Sequence, residues 1–203
     1  MIPHHPPTSM PTVGIFGGSF NPPHVAHLIV AETVRDQFGL DQVLWIPNYS
    51  PPHKANGELA APAHRYAMTE RAIGGYDRFA ISDIELTRGG TSYTIDTLRQ
   101  LQKAHPDTTF SLIIGSDSLR TFAHWHEADA IAALVPIIVY KRPGGLSGVV
   151  EPRFANQVRF ADAPLLEISG SEIRARVQQG RSIRYLVPDA VRMYLHQEGL
   201  YAG

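Results

Sequence analysis

Val13-Gly14-Ile15-Phe16-Gly17-Gly18-Ser19-Phe20-Asn21-Pro22-Pro23-His24-Val25-Ala26-His27 carries the first unit of the fold of this 203-residue chain. Residues 13–16 form a short apolar run that ends at two glycines, the pattern of a buried strand opening into a sharp turn. Pro22 and Pro23 then lead into residues 24–38, a run of good helix formers in which Val30, Val34 and Phe38 recur every four positions. That spacing predicts a helix packed on a sheet, stopped at Gly39. Gly17 and Gly18 let a ligand approach where a Cβ would block it. Their amides, with the helix terminus, can donate to phosphate oxygens. A helix beginning near Pro23 puts His24 and His27 on one face at that terminus. An imidazole there can donate to a phosphate oxygen and, if protonated, oppose charge developing in group transfer. Either histidine alone reads more simply as a core or surface residue. The pair, behind two glycines and two prolines, points to a phosphoryl clamp.

The same order continues along the chain. Strands are predicted over 43–46, 79–84, 110–114 and 137–140, with weak ones at 158–160 and 165–168. Helices are predicted over 63–73, 93–104, 127–134, 171–178 and 188–198. Residues 48–57, with Pro51 and Pro52, read as a loop. The continuous apolar run 110–114 suits a parallel strand covered on both faces. Strands alternating with helices at this spacing imply an α/β fold, a Rossmann-like, doubly wound, mostly parallel sheet with helices on both faces. The organisation expected is one domain over 12–203 behind a disordered leader over 1–11. That leader, native or added, holds Pro3, Pro6, Pro7 and Pro11, and its His4 and His5 are given no role.

Composition narrows the function. At 43% hydrophobic and 18% charged residues the chain is an ordinary globular protein and not a disordered one. Eighteen basic residues against nineteen acidic ones provide no bulk field, so phosphate binding must be local and no nucleic-acid partner is expected. The absence of cysteine removes disulfides, thiolate nucleophiles and thiolate metal sites. No apolar run of about 18 to 20 residues or secretory pattern is present, so no membrane association and a cytoplasmic location are expected. No Gly-x-Gly-x-x-Gly follows the first strand, and no Gly-Lys-Ser/Thr loop is present. Two imidazoles without a third ligand or a His-Glu-x-x-His pattern do not make a zinc site, so no protein-bound metal is expected.

Near the other end, Ile168-Ser169-Gly170-Ser171-Glu172-Ile173-Arg174-Ala175-Arg176 repeats the physical idea. Ser169 or Ser171 can cap a helix, and Gly170 permits close approach. Arg174, three positions beyond Ser171, can hold phosphate oxygens together with the helix terminus. Arg176 is left to solvent or to a supporting contact.

These two segments resemble the paired phosphate-binding motifs of the nucleotidyltransferase superfamily, Gly-Gly-Ser/Thr-Phe-Asp/Asn-Pro-x-His-x-Gly-His and Ile-Ser-Ser/Thr-x-x-Ile-Arg. Ala26 stands where glycine is common and Gly170 where serine is common. Alanine is the smallest substitution and a good helix residue, so narrower packing is expected there without loss of chemistry. Between them, Pro47-Asn48-Tyr49-Ser50-Pro51-Pro52-His53-Lys54, Ser92-Tyr93-Thr94, Gly115-Ser116-Asp117-Ser118-Leu119, Phe122 with Trp125, and Lys141-Arg142-Pro143-Gly144 are similar to the bacterial nicotinate-mononucleotide adenylyltransferase family. The similarity covers nearly everything over 13–201.

The resemblance implies transfer of the adenylyl group of ATP to nicotinate mononucleotide, giving deamido-NAD and pyrophosphate. It implies catalytic roles for His24, His27 and Arg174. It implies an ATP site of Gly17, Gly18, Ser19, Phe20, His24, His27, Gly115, Asp117, Ile168, Ser169 and Arg174, in which Asp117 takes the ribose hydroxyls. The acceptor site it implies is Asn48, His53, Lys54, Thr94, Trp125, His126 and Arg142. There Trp125 stacks on the pyridine ring, and backbone amides near Thr94 and His126 recognise the carboxylate. An acceptor phosphate is already an anionic nucleophile, so no strong general base is required, and Mg²⁺ travelling with ATP balances the leaving group. Two alternatives stay open: nicotinamide mononucleotide as the acceptor, or a nucleotide-binding regulatory protein that transfers nothing. Monomer and homodimer fit equally.

Overall fold

Neighbouring residues of the central strands face opposite ways, and both ways are buried. In strand β1 (Thr12–Gly18), Ile15 packs into one hydrophobic cluster and Phe16 into another. In β4 (Thr109–Gly115), Phe110, Leu112 and Ile114 enter the first cluster, whereas Ile113 enters the second. That is the period of two of a strand with apolar cover on both faces. The computed structural model describes residues 10–51, 59–142 and 150–202.

The other strands are β2 (Gln42–Pro47), β3 (Phe79–Ile81), β5 (Ile137–Tyr140) and β6 (Val158–Ala161). They lie in the order β3-β2-β1-β4-β5-β6, and every neighbouring pair is parallel. On one face, α4 (Thr94–Ala104) and α6 (Ala128–Leu134) bury Ile95, Leu98, Leu101 and Ile131 against the sheet. On the other, α1 (Val25–Gln37) buries Val30, Ala31 and Val34, and α2 (Pro62–Ile73) adds Ile73. A third cluster joins Met68 of α2 to α7 (Gly170–Gln178) and α8 (Asp189–Gln197) through Ile173, Val191 and Leu195. The Rossmann-like, doubly covered parallel sheet predicted from the sequence is the observed one.

Three local readings differ. The strand predicted over 79–84 ends at Ile81, and Ile84 begins the short helix α3 (Ile84–Arg88). Its last ladder bond is Ser82 N–H to the Trp45 carbonyl at 2.9 Å, after which Asp83 turns the chain. No strand forms over 165–168: Leu165 is 59% exposed, and Ile168 packs on the α2–α7–α8 cluster. A helix not expected from the sequence, α5 (Ser116–Thr121), starts directly at the end of β4. Of residues 1–11, only Met10 and Pro11 are described. Pro11 accepts from Thr109 N–H at 2.8 Å and so stands at the foot of the sheet. No helix among the described residues is long and apolar enough to cross a membrane.

The topology decides where a ligand goes. From β1 the chain moves outward to β2 and β3, then returns across to β4, β5 and β6. Between β1 and β4 the connections diverge, which leaves a crevice beyond their carboxyl ends at Gly18 and Gly115.

Candidate active site

A cleft of about 810 Å³ occupies that crevice, a volume suited to a nucleotide-sized ligand. The residues assigned from the sequence converge on it. Gly17, Gly18, Ser19, Phe20, His24, His27, Gly115, Asp117, Ser169 and Arg174 line it, as do Asn48, Thr94, Trp125, His126 and Arg142. Ile168 is the exception, since it lines only a small neighbouring crevice behind the histidines. His53 and Lys54 lie outside the described residues.

The two histidines stand differently from the simple helix-face picture. Helix α1 begins at Val25, and His24 precedes it with an extended backbone, φ −142° and ψ 169°. From there its ring stacks on that of His27, with centroids 3.6 Å apart and planes 24° apart. The His24 N–H donates to His27 Nδ1 at 3.2 Å. A neutral His27 ring therefore carries its proton on Nε2. His24 is 3% exposed. Burial, with the Arg142 cation as a second cause, pushes its pKa down from 6.5 to about 4. In the ligand-free protein His24 is a neutral imidazole, so what it offers a phosphate oxygen is an N–H dipole. Its Nδ1 is buried without a hydrogen-bond partner. Phe20 packs its ring on Phe16, Trp45 and His27, which leaves its backbone as the part available to a ligand.

The second motif arrives at the same place. Ser169 is the cap of α7, its Oγ accepting from Glu172 N–H at 3.1 Å, which decides between the two serines. Arg174 Nη1 donates to the Asn21 carbonyl at 2.9 Å, and Nη2 reaches Ser171 Oγ at 3.4 Å. A Cβ on Gly170 would sit 2.8 Å from that same carbonyl oxygen. Glycine at position 170 thus lets the first loop cross at this distance, where a side chain would make one of the two give way. Arg176 instead donates to the Ser182 carbonyl at 2.9 Å and braces the end of its own helix.

Asp117 and Arg142, which the sequence assigns to different substrates, are paired: Arg142 Nη1 lies 2.9 Å from Asp117 Oδ2. Arg142 is also fixed by its backbone N–H, which donates to Ser116 Oγ at 3.0 Å. Its Cδ would stand 2.8 Å from a Cβ on Gly115, so a glycine ending β4 makes room for the pair. Asp117 Oδ1 is buried with no hydrogen-bond partner. Further along the cleft, Trp125 is half-buried against Phe122 at 5.4 Å, and Tyr93 packs on His126 at 4.5 Å. Among the described residues, neither the Thr94 nor the His126 amide donates to a protein acceptor. Both are open to a ligand anion, Thr94 at the first turn of α4. Arg99 of α4 bridges to Glu127 in two bonds of 3.0 and 2.6 Å, tying α4 to the turn that carries His126. No group of three or more His, Asp or Glu able to hold a metal ion is found among the described residues.

Two contributors escape the sequence reading. Asn21 accepts at Oδ1 from Ala60 N–H at 3.0 Å and from the Tyr201 hydroxyl at 2.5 Å. It thereby joins the first loop to the segment just before α2 and to the C-terminal segment. Arg65 is 1% exposed and donates to carbonyls on three segments. Its signal lay in the spacing of Arg65, Met68, Thr69 and Ile73 along one face of α2, which places a guanidinium on an otherwise inward stripe.

Comparison with known proteins gives a consistent set of similarities. Residues 15–176 match the family model described as cytidylyltransferase-like. The chain is 64% identical over 190 residues to a protein of Salinibacter ruber named "probable nicotinate-nucleotide adenylyltransferase", covering 94% of this chain and 97% of that one. A protein of the same name from Geobacillus thermodenitrificans is 45% identical, with 96% and 88% covered. Among solved structures, the nicotinic acid mononucleotide adenylyltransferase of Plasmodium falciparum complexed with NaAD superposes with a TM-score of 0.76. It is 21% identical, with 94% of this chain and 97% of that chain covered, a likeness of fold.

Proposed function

Because this chain belongs to the nicotinate-nucleotide adenylyltransferase family, within the cytidylyltransferase-like proteins, we propose that its cleft joins ATP and nicotinate mononucleotide by direct in-line transfer on the residues described above. The protein is an enzyme of NAD biosynthesis, a nicotinate-nucleotide adenylyltransferase that makes deamido-NAD and pyrophosphate. The observation that carries the assignment of the site is the meeting of the two phosphate motifs, where Arg174 of one holds the Asn21 carbonyl of the other.

An oxygen of the acceptor phosphate attacks the α-phosphorus of ATP. The new phosphorus–oxygen bond forms as the bond to the bridging oxygen of pyrophosphate breaks, and no proton needs to move. The protein's task is alignment and charge. His24 and His27 donate to oxygens of the reacting phosphates. Arg174 and the start of α7 steady the β- and γ-phosphates. Asp117 takes the ATP ribose, with Arg142 beside it. On the acceptor side Trp125 offers a flat platform for the pyridine ring. The Thr94 and His126 amides face its carboxylate, and Asn48, whose N–H donates to the Gly18 carbonyl at 3.0 Å, stands beside the phosphate loop. Magnesium enters as part of the substrate, Mg-ATP, and supplies charge neutralisation on the leaving pyrophosphate. The same reading keeps 12–203 as one catalytic unit working in the cytoplasm.

The deciding experiment incubates purified protein with Mg-ATP and either nicotinate or nicotinamide mononucleotide, and quantifies dinucleotide and pyrophosphate together. Product from nicotinate mononucleotide, in equal amount with pyrophosphate, is expected. Preference for the amide would reverse the acceptor, and ATP binding with no product from either would leave a nucleotide-binding protein.

A further inference from the structure

The guanidinium of Arg65 is buried at 1% exposure, and its hydrogen bonds go to oxygens without formal charge. Nε donates to the Ala60 carbonyl at 3.0 Å, Nη1 to the Ser19 carbonyl at 2.9 Å and Nη2 to the Tyr49 carbonyl at 3.0 Å. Asn48 Oδ1 lies 3.5 Å from Nη1. No ion pair to Arg65 exists among the described residues. Glu85 acts on the cation only through space, and taking a cation out of water without a directly paired counter-charge is costly, so that a hydrophobic residue of similar volume would often be at least as stable there. What the fork does supply is geometry, since its donors are fixed in one plane and diverge toward separate acceptors.

Those acceptors belong to neighbouring loops at the carboxyl edge of the sheet, where Gly18 pairs with Pro47 and the Asn48 N–H donates to the Gly18 carbonyl at 3.0 Å. Ser19 sits in the loop after β1, at the proposed ATP phosphates, whereas Asn48 and Tyr49 follow β2 on the proposed acceptor side. The Ser19–Phe20 peptide is trans. With its carbonyl turned toward Arg65, the Phe20 N–H must point the opposite way across the peptide plane. The segment 48–50 is gripped from its other side by Ser92, whose Oγ accepts from Tyr49 N–H at 2.9 Å and Ser50 N–H at 3.3 Å.

We propose that Arg65 is a positioning residue for the transfer, holding the ATP-phosphate loop at Ser19 and the acceptor loop at Asn48–Tyr49 in one rigid frame so that nucleophile and α-phosphorus meet in line. The proposal rests on the adenylyltransferase reading and adds a residue that touches neither substrate. Its consequence is that guanidinium shape matters, and positive charge alone does not suffice.

The test compares wild type with Arg65→Lys and Arg65→Ala, with rates referred to the folded fraction measured by thermal melting and ATP-binding stoichiometry. A misplacement on the order of 1 Å costs about 100-fold in an aligned reaction. For Arg65→Lys, kcat per folded site should fall about 10- to 100-fold, with a raised acceptor KM and a smaller change in ATP affinity. Guanidinium chloride at about 50 mM, far below unfolding concentrations, should restore part of the Arg65→Ala rate while ammonium chloride does not. A folded Arg65→Lys enzyme with wild-type kcat and acceptor KM overturns the proposal, as does equal rescue by ammonium. Should Arg65→Ala not fold, the Arg65→Lys comparison decides alone. Wild type without dinucleotide product would refute the functional reading and Arg65's role with it, whereas active wild type beside an indifferent Arg65→Lys refutes only the latter.

Discussion

Replacing His24 by glutamine should flatten part of the acid sensitivity of the ligand-free protein, by an amount the structure sets. The imidazole is 3% exposed. Burial first, and the neighbouring Arg142 cation second, lower its pKa from 6.5 to about 4. The folded protein therefore resists a proton that the unfolded chain accepts. This contribution is fully present above the unfolded value and is lost as pH falls toward the folded one. With these two values, linkage gives a loss of about 2 kcal/mol between about pH 7 and about pH 5, and about 3 kcal/mol below about pH 4. Urea unfolding of wild type and His24→Gln across that range isolates the effect, because groups common to both cancel in the difference. The wild-type advantage should shrink toward acid by about 2 kcal/mol by about pH 5. Parallel stability curves, or a His24 ring that titrates near 6.5 by NMR, would refute the reasoning. Mg-ATP should weaken the effect, since bound phosphates favour the protonated ring.

Other consequences follow from the same geometry. His24→Ala should lower kcat about 100- to 1,000-fold while calorimetric ATP affinity changes much less, as for loss of a donor aimed at developing charge; unchanged turnover would exclude that role. Arg174→Ala removes both the cation proposed for the phosphates and the tie to the Asn21 carbonyl at 2.9 Å. Its KM for ATP should rise at least about tenfold with little change in acceptor KM, read from steady-state kinetics. Trp125→Ala should do the converse, raising acceptor KM about tenfold and leaving the ATP KM alone. Gly170→Val forces a side chain onto backbone that a Cβ already meets at 2.8 Å. Melting temperature should fall by about 5 °C and activity with it, and a variant as stable and active as wild type would show that the two loops can part.

The fold was readable wherever a run is buried on both sides. Residues 110–114 are such a run, because alternate residues serve two cores. The equally apolar 165–168 misleads because hydrophobicity records that a residue finds cover and not what covers it. There the cover is the α2–α7–α8 cluster for Ile168, and Leu165 has little. Ile84 misleads in the same way, packing on the first cluster from a helix rather than a strand. The histidine pair, the glycines and Arg174 were legible as types at a spacing. Arg65 and Asn21 were harder to see. Their function is to be reached by distant segments, 46 residues away for Ser19 and 180 for Tyr201, and no local spacing encodes that.

Asp117 and Arg142 mark where single-residue assignment stops being enough. Each has a plausible role alone, yet their ion pair makes the two roles one arrangement. Arg142 satisfies Oδ2 and at the same time helps keep His24 neutral, so moving it toward an acceptor would alter both neighbours. Asp117 Oδ1, by contrast, is a buried acceptor to which no described residue donates. A ribose hydroxyl is a neutral donor that can reach this oxygen once the carboxylate turns it toward the cleft, with the guanidinium left on Oδ2. The arrangement that best accounts for both residues keeps the pair intact and lets Asp117 hold ATP by its second oxygen. Arg142 then stays where its charge is felt by His24 and the incoming phosphates. Binding of ATP would then give Oδ1 a donor and add counter-charge to an arginine already in position, with no larger change than a local turn of one carboxylate.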